Sequence, residues 1–387
     1  MIFDSESVFE DNVITVLKQH GWKDGVLRYP TEQDLLDNWK GILYRNNNDI
    51  DRLGKYPLTD GEMAQIIEQI ETLRTPLALN SFVNGRTVSI TRDNKEDVAH
   101  FGKEISLYIY DRKEIAGGKS TYQIAQQPVY PAKNKMLNSR RGDLVLLING
   151  MPLIHIELKK SGIPVSQATN QIEKYTHEGV FTGLFRLVQI FVAMNPDDAV
   201  YFANPGVDKF NPSYYFHWAD YNNEPICGGQ NPGKDEWKLF IGGTSGTAGL
   251  LSIPMAHQLI GFYTIADSAD GCLKVLRSYQ YIAANAISDV VRKCDWEQRP
   301  TTPGRPGGYV WHTTGSGKTM TSFKSAQLIA DSHDADKVVF LMDRIELGTQ
   351  SLKEYRSFAD SETEVQGTEN TGVLRDKLNS TNVNDTL

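Results

Sequence analysis

Cysteine is scarce in this 387-residue sequence: Cys227, Cys272 and Cys294 stand far apart. An odd count without short-spaced pairs excludes a disulfide framework and a closely spaced zinc site. Long apolar runs are missing too, none approaching the roughly 20 residues that a membrane helix needs. The N-terminus "MIFDSESVFEDNV" carries acidic residues where a secretory leader would be positive. These absences predict a soluble, cytoplasmic protein with reduced thiols. Positive charge is not in excess either. Forty Lys and Arg face 48 Asp and Glu, a net charge of −8, so any nucleic-acid contact must be a local patch on an acidic body. Internal repeats, low-complexity tracts, zinc fingers, basic helices and helix-turn-helix signatures are likewise absent, which removes solenoids and sequence-reading DNA modules.

What is present reads as an α/β protein of two domains, each long enough to bury a core. Val8, Phe9, Val13, Ile14, Val16 and Leu17 recur at helical spacing, with Ser5 or Ser7 as N-cap and Gly21 as stop. Residues 31 to 75 read as helical pieces. From 77 to 130 the pattern alternates as strands do, and Asn84-Gly85 offers a hairpin turn. Residues 203 to 248 are rich in Asn, Gly, Pro and aromatics, a loop composition that sets the expected boundary between domains 1–248 and 249–387. A helical stretch from about 252, a helix "LKVLRSYQYIAANAISDVVRKC" and a loop "RPTTPGRPGG" follow.

Two segments carry chemistry. In "YVWHTTGSGKTMTSFKSAQLIA" a short apolar strand, a glycine-containing loop and a helix succeed one another, the context of a phosphate-binding loop. His312 stands where the first glycine of that pattern belongs, but Gly317, Lys318 and Thr319 stay in register. Main-chain N–H groups from Thr314 through Gly315, Ser316 and Gly317 to Thr319 can enclose phosphates. Lys318 adds a point charge, and Thr319 is placed to hold Mg2+. About 20 residues on, "DKVVFLMDRIELGTQ" has the continuous apolar run of a buried parallel strand.

The second segment, "RRGDLVLLINGMPLIHIELKKSG", reads as two strands joined by an Asn149-Gly150 turn. Asp143 opens the first strand. On the second, period-two alternation puts His155, Glu157 and Lys159 on one face. Two carboxylates and an ammonium brought around one point suit Mg2+, with Asp143 and Glu157 as ligands and Lys159 to orient a water or stabilise developing charge. Gln171 and Tyr175, at i and i+4 on the next helix, share a face that can approach this site. Glu10 on the opening helix offers a further carboxylate, with Glu6 as its competitor. His155 shares the site face, although a packed strand histidine is the commoner case.

Together these motifs resemble the N-terminal part of the restriction subunit of type I restriction-modification enzymes, over essentially the whole chain. The resemblance implies a restriction-endonuclease-like nuclease domain with a mixed sheet, followed by the start of a RecA-like superfamily 2 motor. It implies that Asp143, Glu157 and Lys159 form the PD-(D/E)xK set, and that Gln171 and Tyr175 form the family's Q-x-x-x-Y element. The His-initiated loop "WHTTGSGKT" is similar to the family's first motor motif. "RSYQ" resembles the adenine-reading element, with Gln280 on the base and Arg277 beside it, and "FLMDRIELGTQ" resembles motif Ia. The implied cofactors are Mg2+ and ATP. The implied partners are double-stranded DNA and the modification (methyltransferase) and specificity subunits, with no membrane. One departure stands out: no DEAD- or DEAH-like acidic pair and no second RecA-like lobe follow Thr319, so the expected chain is part of a longer subunit and does not hydrolyse ATP. Two other readings stay open, a non-catalytic nucleotide- or DNA-binding docking module and another nuclease-helicase fusion of repair or phage defence.

Overall fold

Ser5 caps the first helix, α1 (Glu6–Gln19), its hydroxyl accepting the Val8 N–H at 3.3 Å. Phe9, Val13, Ile14, Val16 and Leu17 form the buried face with Glu10 among them, and Gly21 at φ +110° follows the helix end. The structure is a computed structural model that describes residues 2–115, 117–131, 140–207, 209–229, 235–293, 307–343, 345–359, 365–368 and 370–382. Cys294 and most of the "RPTTPGRPGG" loop lie outside the described residues.

After β1 (Val26–Arg28) come α2 (Glu32–Asn46) and α3 (Asp60–Thr72), each opened by a reciprocal capping box, Thr31 with Asp34 and Thr59 with Glu62. The next stretch corrects the sequence reading. Residues Pro76–Asn84 are a helix, α4, not the first strand of a hairpin. Pro76 presets the first turn, Thr75 caps it, and Leu79 and Val83 lie one turn apart on its buried face. Asn84-Gly85 is therefore a helix end. The strand-like alternation holds only from β2 (Thr87–Thr91), which pairs antiparallel with β3 (Glu104–Tyr108) as a separate ribbon.

The central sheet takes β4 (Tyr122–Gln126), β5 (Leu144–Ile148), β6 (Met151–Leu158), β7 (Ile190–Met194) and β8 (Ala199–Ala203), in the order β1-β4-β5-β6-β7-β8. β1 with β4 and β6 with β7 are parallel; the other neighbours are antiparallel. Every residue of β5 and β6 is buried, so these strands form the spine of the sheet. The connection from β6 to β7 runs through α5 (Val165–His177), whose Ala168 and Ile172 pack on Phe191, Ala193, Val200 and Phe202. Full burial of a side chain such as Ile172 contributes about 1.5–3 kcal/mol. The loop-rich stretch after β8 contains α6 (Glu236–Gly242), whose Trp237 meets Phe3 and Phe9 edge-on, and leads to α7 (Met255–Gly261).

The Asn149-Gly150 turn forms as read, with φ +52° and +84°, the pair of left-handed residues that a two-residue hairpin demands. A Cβ on Gly150 would lie 2.9 Å from both Cα and Cδ1 of Trp39. Gly150→Ala is therefore expected to destabilise the chain by about 2 kcal/mol or more, since backbone strain and overpacking add. A urea midpoint unchanged from wild type would contradict this.

Contacts divide the chain at Thr264/Ile265. β9 (Thr264–Asp267) pairs with β10 (Cys272–Val275), and then come α8 (Ser278–Lys293), α9 (Lys318–Ser332), α10 (Ile345–Phe358) and α11 (Thr371–Asn379). Two local expectations change here. The predicted helix from residue 273 begins only at Ser278, because Leu273–Val275 belong to β10. The apolar runs at 309–311 and 338–342 carry no regular secondary structure and join no ladder, with Tyr309 90% and Leu341 91% exposed. A fully buried parallel strand needs a neighbour on each side, and no strand among the described residues pairs with either run. The chain is α/β with a mixed sheet. No helix among the described residues is long and apolar enough to cross a membrane.

Candidate active site

Both predicted acids sit at the open end of the β5–β6 hairpin, and a bulge brings them together. Next to the turn, Ile148 pairs with Met151 and Leu147 with Pro152, but beyond it Leu146 pairs with Ile154 and Leu144 with Ile156. Leu153 is the extra residue. Continuing that register one step outward sets Asp143 opposite Glu157, and directly opposed residues share a face of the sheet. In a hairpin without the bulge Asp143 would oppose Ile156, and the two acids would point to opposite faces. The Asp143 carboxylate also accepts the Leu158 N–H at 2.7 Å, while its carbonyl accepts Gln127 N–H at 2.7 Å.

Glu157 is fully buried, and neither of its carboxylate oxygens has a hydrogen-bond partner. Burial pushes it up to about 8, against the opposing pull of Lys159. Burial and then the Glu157 charge push Asp143 up to about 8 as well. Two buried carboxyls this close titrate as a pair and hold proton at neutral pH. Lys159 is nearly buried; its Nζ donates to the Leu158 carbonyl at 2.9 Å and stands 3.7 Å from Glu157 Oε1 and 3.7 Å from Glu6 Oε1. Glu10, also buried, accepts Gln126 Nε2 at 2.6 Å and Gln127 Nε2 at 3.3 Å, and burial raises its pKa. So Glu6 stands at the lysine and Glu10 at the two glutamines of the neighbouring strand end.

This donor set fits a hard divalent cation. Among the described residues no three His, Cys, Asp or Glu side chains converge as a metal cage. Mg2+ needs no such cage, because it binds through one or two carboxylates and keeps waters for the rest of its octahedron. The unpartnered oxygens of Glu157 beside Asp143 supply that pair.

The structure brings Gln171 and Tyr175 to the same region. Gln171 Nε2 donates to the Tyr175 hydroxyl at 2.7 Å, which donates in turn to the Arg141 carbonyl at 3.0 Å. The helix pair thus holds the backbone two residues before Asp143. At the adjoining strand ends Tyr29 and Gln127 take positive φ, +54° and +48°, strain of the kind that gathers at functional sites.

In the other unit, Gly315 and Gly317 are left-handed, at φ +77° and +80°, and α9 starts at Lys318. The loop from His312 to Thr319 is tied to itself: His312 Nδ1 meets Ser316 Oγ at 2.8 Å, Ser316 Oγ donates to the Thr313 carbonyl at 2.7 Å, and Lys318 Nζ donates to the same carbonyl at 3.1 Å. His312 thus replaces the first glycine of the pattern by a side chain that holds the loop. Gln280 is buried, accepting the Arg277 N–H at 2.9 Å and directing Nε2 at the carbonyls of Ser316, 3.4 Å away, and Gly317, 3.3 Å away. Arg277 Nη1 reaches the Tyr279 hydroxyl at 3.1 Å.

A family model described as type I restriction enzyme R protein N terminus matches residues 4–210. The chain belongs to this family. The resemblance read from its motifs is borne out. A SWI2/SNF2 ATPase model matches residues 279–387. The chain is 31% identical over 386 residues to the type I restriction enzyme SsaAORF53P endonuclease subunit of Staphylococcus saprophyticus, covering 98% of this chain and 36% of that protein. It is 32% identical over 381 residues to the SauCOLORF180P endonuclease subunit of Staphylococcus aureus, covering 98% of this chain and 36% of the relative. It is 26% identical over 343 residues to the EcoprrI endonuclease subunit of Escherichia coli, covering 81% of this chain and 99% of that protein. The chain therefore spans 36% of the length of the two staphylococcal relatives. Within this type I restriction R-protein chain, three features escaped the sequence reading: the Leu153 bulge, the contact of Tyr130 with His155, and the close packing of Gly142. The Gly next to Asp143 in "RRGD" was the one available signal.

Proposed function

We propose that Asp143 and Glu157 bind Mg2+ and that this site hydrolyses phosphodiester bonds of double-stranded DNA. The observation that carries the reading is the buried Glu157 carboxylate, unpartnered at both oxygens and facing Asp143 and Lys159. When bound, Mg2+ supplies polarisation of the phosphodiester and a lowered pKa for an attacking water. Lys159, held at the rim by the Leu158 carbonyl, orients that water or offsets charge on the phosphate. Tyr175 and Gln171 hold the segment that carries Asp143, and Glu10 adds negative charge on the Asp143 side.

On this reading the nuclease lies in the first unit, Met1–Thr264, which takes in residues 249–264 beyond the boundary expected from the sequence, and the second unit, Ile265–Leu387, is the beginning of an ATP-driven motor. The N–H groups of Thr314, Gly315, Ser316, Gly317 and Thr319 take the phosphates of ATP, Lys318 leaves the Thr313 carbonyl for them, and Gln280 with Arg277 supports the loop. In the longer subunit translocation precedes cleavage of unmodified DNA, and modification and specificity subunits supply site choice, all in the cytoplasm. The test is nicking of supercoiled plasmid by the 387-residue chain in Mg2+. We expect nicking that EDTA stops and that Asp143→Asn lowers by about 100-fold or more. Nicking indifferent to both would place the chemistry elsewhere, and no nicking by a folded chain that binds Mg2+ would favour a docking module.

A further inference from the structure

Behind Glu157 lies a histidine that the proposed cleavage chemistry does not use. His155 is fully buried on the same strand and face; its Nδ1 stands 2.9 Å from the Tyr130 hydroxyl and its Nε2 3.3 Å from Glu157 Oε2. The other oxygen, Oε1, is the one 3.7 Å from Lys159 Nζ. The carboxylate is therefore addressed at one oxygen by the imidazole and at the other by the ammonium. His155 Nε2 and both Glu157 oxygens lack a completed hydrogen bond, although Nε2 and Oε2 stand within hydrogen-bond reach at 3.3 Å.

The ring has no freedom to turn away. Phe181 meets it edge-on at 5.3 Å and Phe191 at 6.0 Å, while Phe185 packs edge-on against Tyr130 at 4.6 Å. Gly142 closes the remaining side: a Cβ there would come 2.5 Å from the Tyr130 hydroxyl and 2.8 Å from His155 Cε1. A singly protonated imidazole has one donor and one acceptor. Opposite a carboxylate ionised to bind a cation, Nε2 must be the donor. Nδ1 then accepts from the Tyr130 O–H, and the order of the chain is set from tyrosine to histidine to glutamate.

We propose that Tyr130 and His155 are positioning residues that pin Glu157 Oε2 and so present Oε1, with Asp143, to a divalent cation. The inference rests on the metal-binding reading of this site, and its test separates the two. Mn2+ binding to the 387-residue chain would be measured by electron paramagnetic resonance and calorimetry for wild type, Asp143→Asn, His155→Leu, His155→Gln and Tyr130→Phe. The 15N shifts of His155 would be recorded with and without Mg2+. His155→Leu is expected to weaken Mn2+ binding by roughly 10–100-fold, the usual effect of losing a partner behind a metal ligand. His155→Gln, whose amide nitrogen reaches the place of Nε2, recovers part of that loss, which a purely space-filling role would not predict. Tyr130→Phe keeps the ring but removes the donor, and shifts the His155 spectrum away from the Nε2–H tautomer. Mn2+ affinity equal in wild type and both His155→Leu and Tyr130→Phe, or an Nδ1–H tautomer in the Mg2+-loaded wild type, would overturn this inference alone. No Mn2+ uptake by wild type would overturn it together with the metal reading.

Discussion

Glu157→Gln is expected to remove DNA cleavage and, at the same time, to make the metal-free chain more stable in alkaline solution. On the proposed metal reading the loss follows from the ligand count: with one carboxylate gone, Asp143 alone would face the cation, and a fall of about 1000-fold is the scale for deleting one electrostatic contact in an active site. The gain follows from burial. Wild-type Glu157 ionises with no hydrogen-bond partner on either oxygen and with Asp143 nearby. An unsatisfied buried group costs about 1–3 kcal/mol, and more when charged. The glutamine amide carries no charge and can donate to Asp143. Plasmid nicking and urea unfolding in EDTA at about pH 9 would measure both effects on one preparation. A variant that loses activity and stability together would mean that Glu157 is a structural carboxylate, and the trade between function and stability at this position would be refuted.

The second large effect is a coupling among pH, metal and stability. In the unfolded chain Asp143 and Glu157 take ordinary carboxyl values near 4; in the folded chain both are pushed up to about 8. Between those values the folded state binds more protons than the unfolded one, so stability falls as pH rises from about 4 to about 8 and levels off above. The contribution is fully present below the unfolded values and lost as pH climbs through the folded ones. On the proposed metal reading cation binding would have the opposite slope, because Mg2+ would have to displace the protons of the pair. We expect the Tm in EDTA to drop from about pH 6 to about pH 9 by more in wild type than in an Asp143→Asn, Glu157→Gln double variant, and Mg2+ to shrink the wild-type drop. Calorimetry in buffers of different ionisation enthalpy would count the protons released. Identical pH profiles for wild type and double variant would remove the shared-proton description of the site.

Much of this was legible in the residues, for reasons that differ from one segment to the next. Ser5 and the apolar spacing after it identify α1 because capping and amphipathicity are local. Asn149-Gly150 identifies the hairpin because few other residue pairs tolerate two left-handed conformations. Residues 76–84 misled, since Leu77, Leu79 and Val83 also fall at the spacing of one strand face, and the decision lay with Pro76, Thr75 and the core that receives Leu79 and Val83. The strands expected at 309–311 and 338–342 were read from apolarity alone, which reports a wish for neighbours rather than their presence. Gln280 was read as a base-contacting residue by resemblance, and it is buried against the Ser316 and Gly317 carbonyls. The meeting of Asp143 with Glu157 was anticipated from the residue types, but its cause, Leu153, leaves no mark in composition or period.

That one leucine imposes a parity rule on the protein's lengths. With that bulge in place, the number of other residues between Asp143 and Glu157 decides whether the two acids look at each other or away from each other through the sheet. Lengthening or shortening the hairpin by two residues adds or removes a rung and keeps them facing. A change of one elsewhere in the hairpin, with the bulge kept, turns one acid to the opposite side, whereas deleting Leu153 itself removes the bulge together with its extra residue and leaves Asp143 opposite Glu157. With the bulge in place, only even steps along the rest of this hairpin keep the two acids on one face of the sheet.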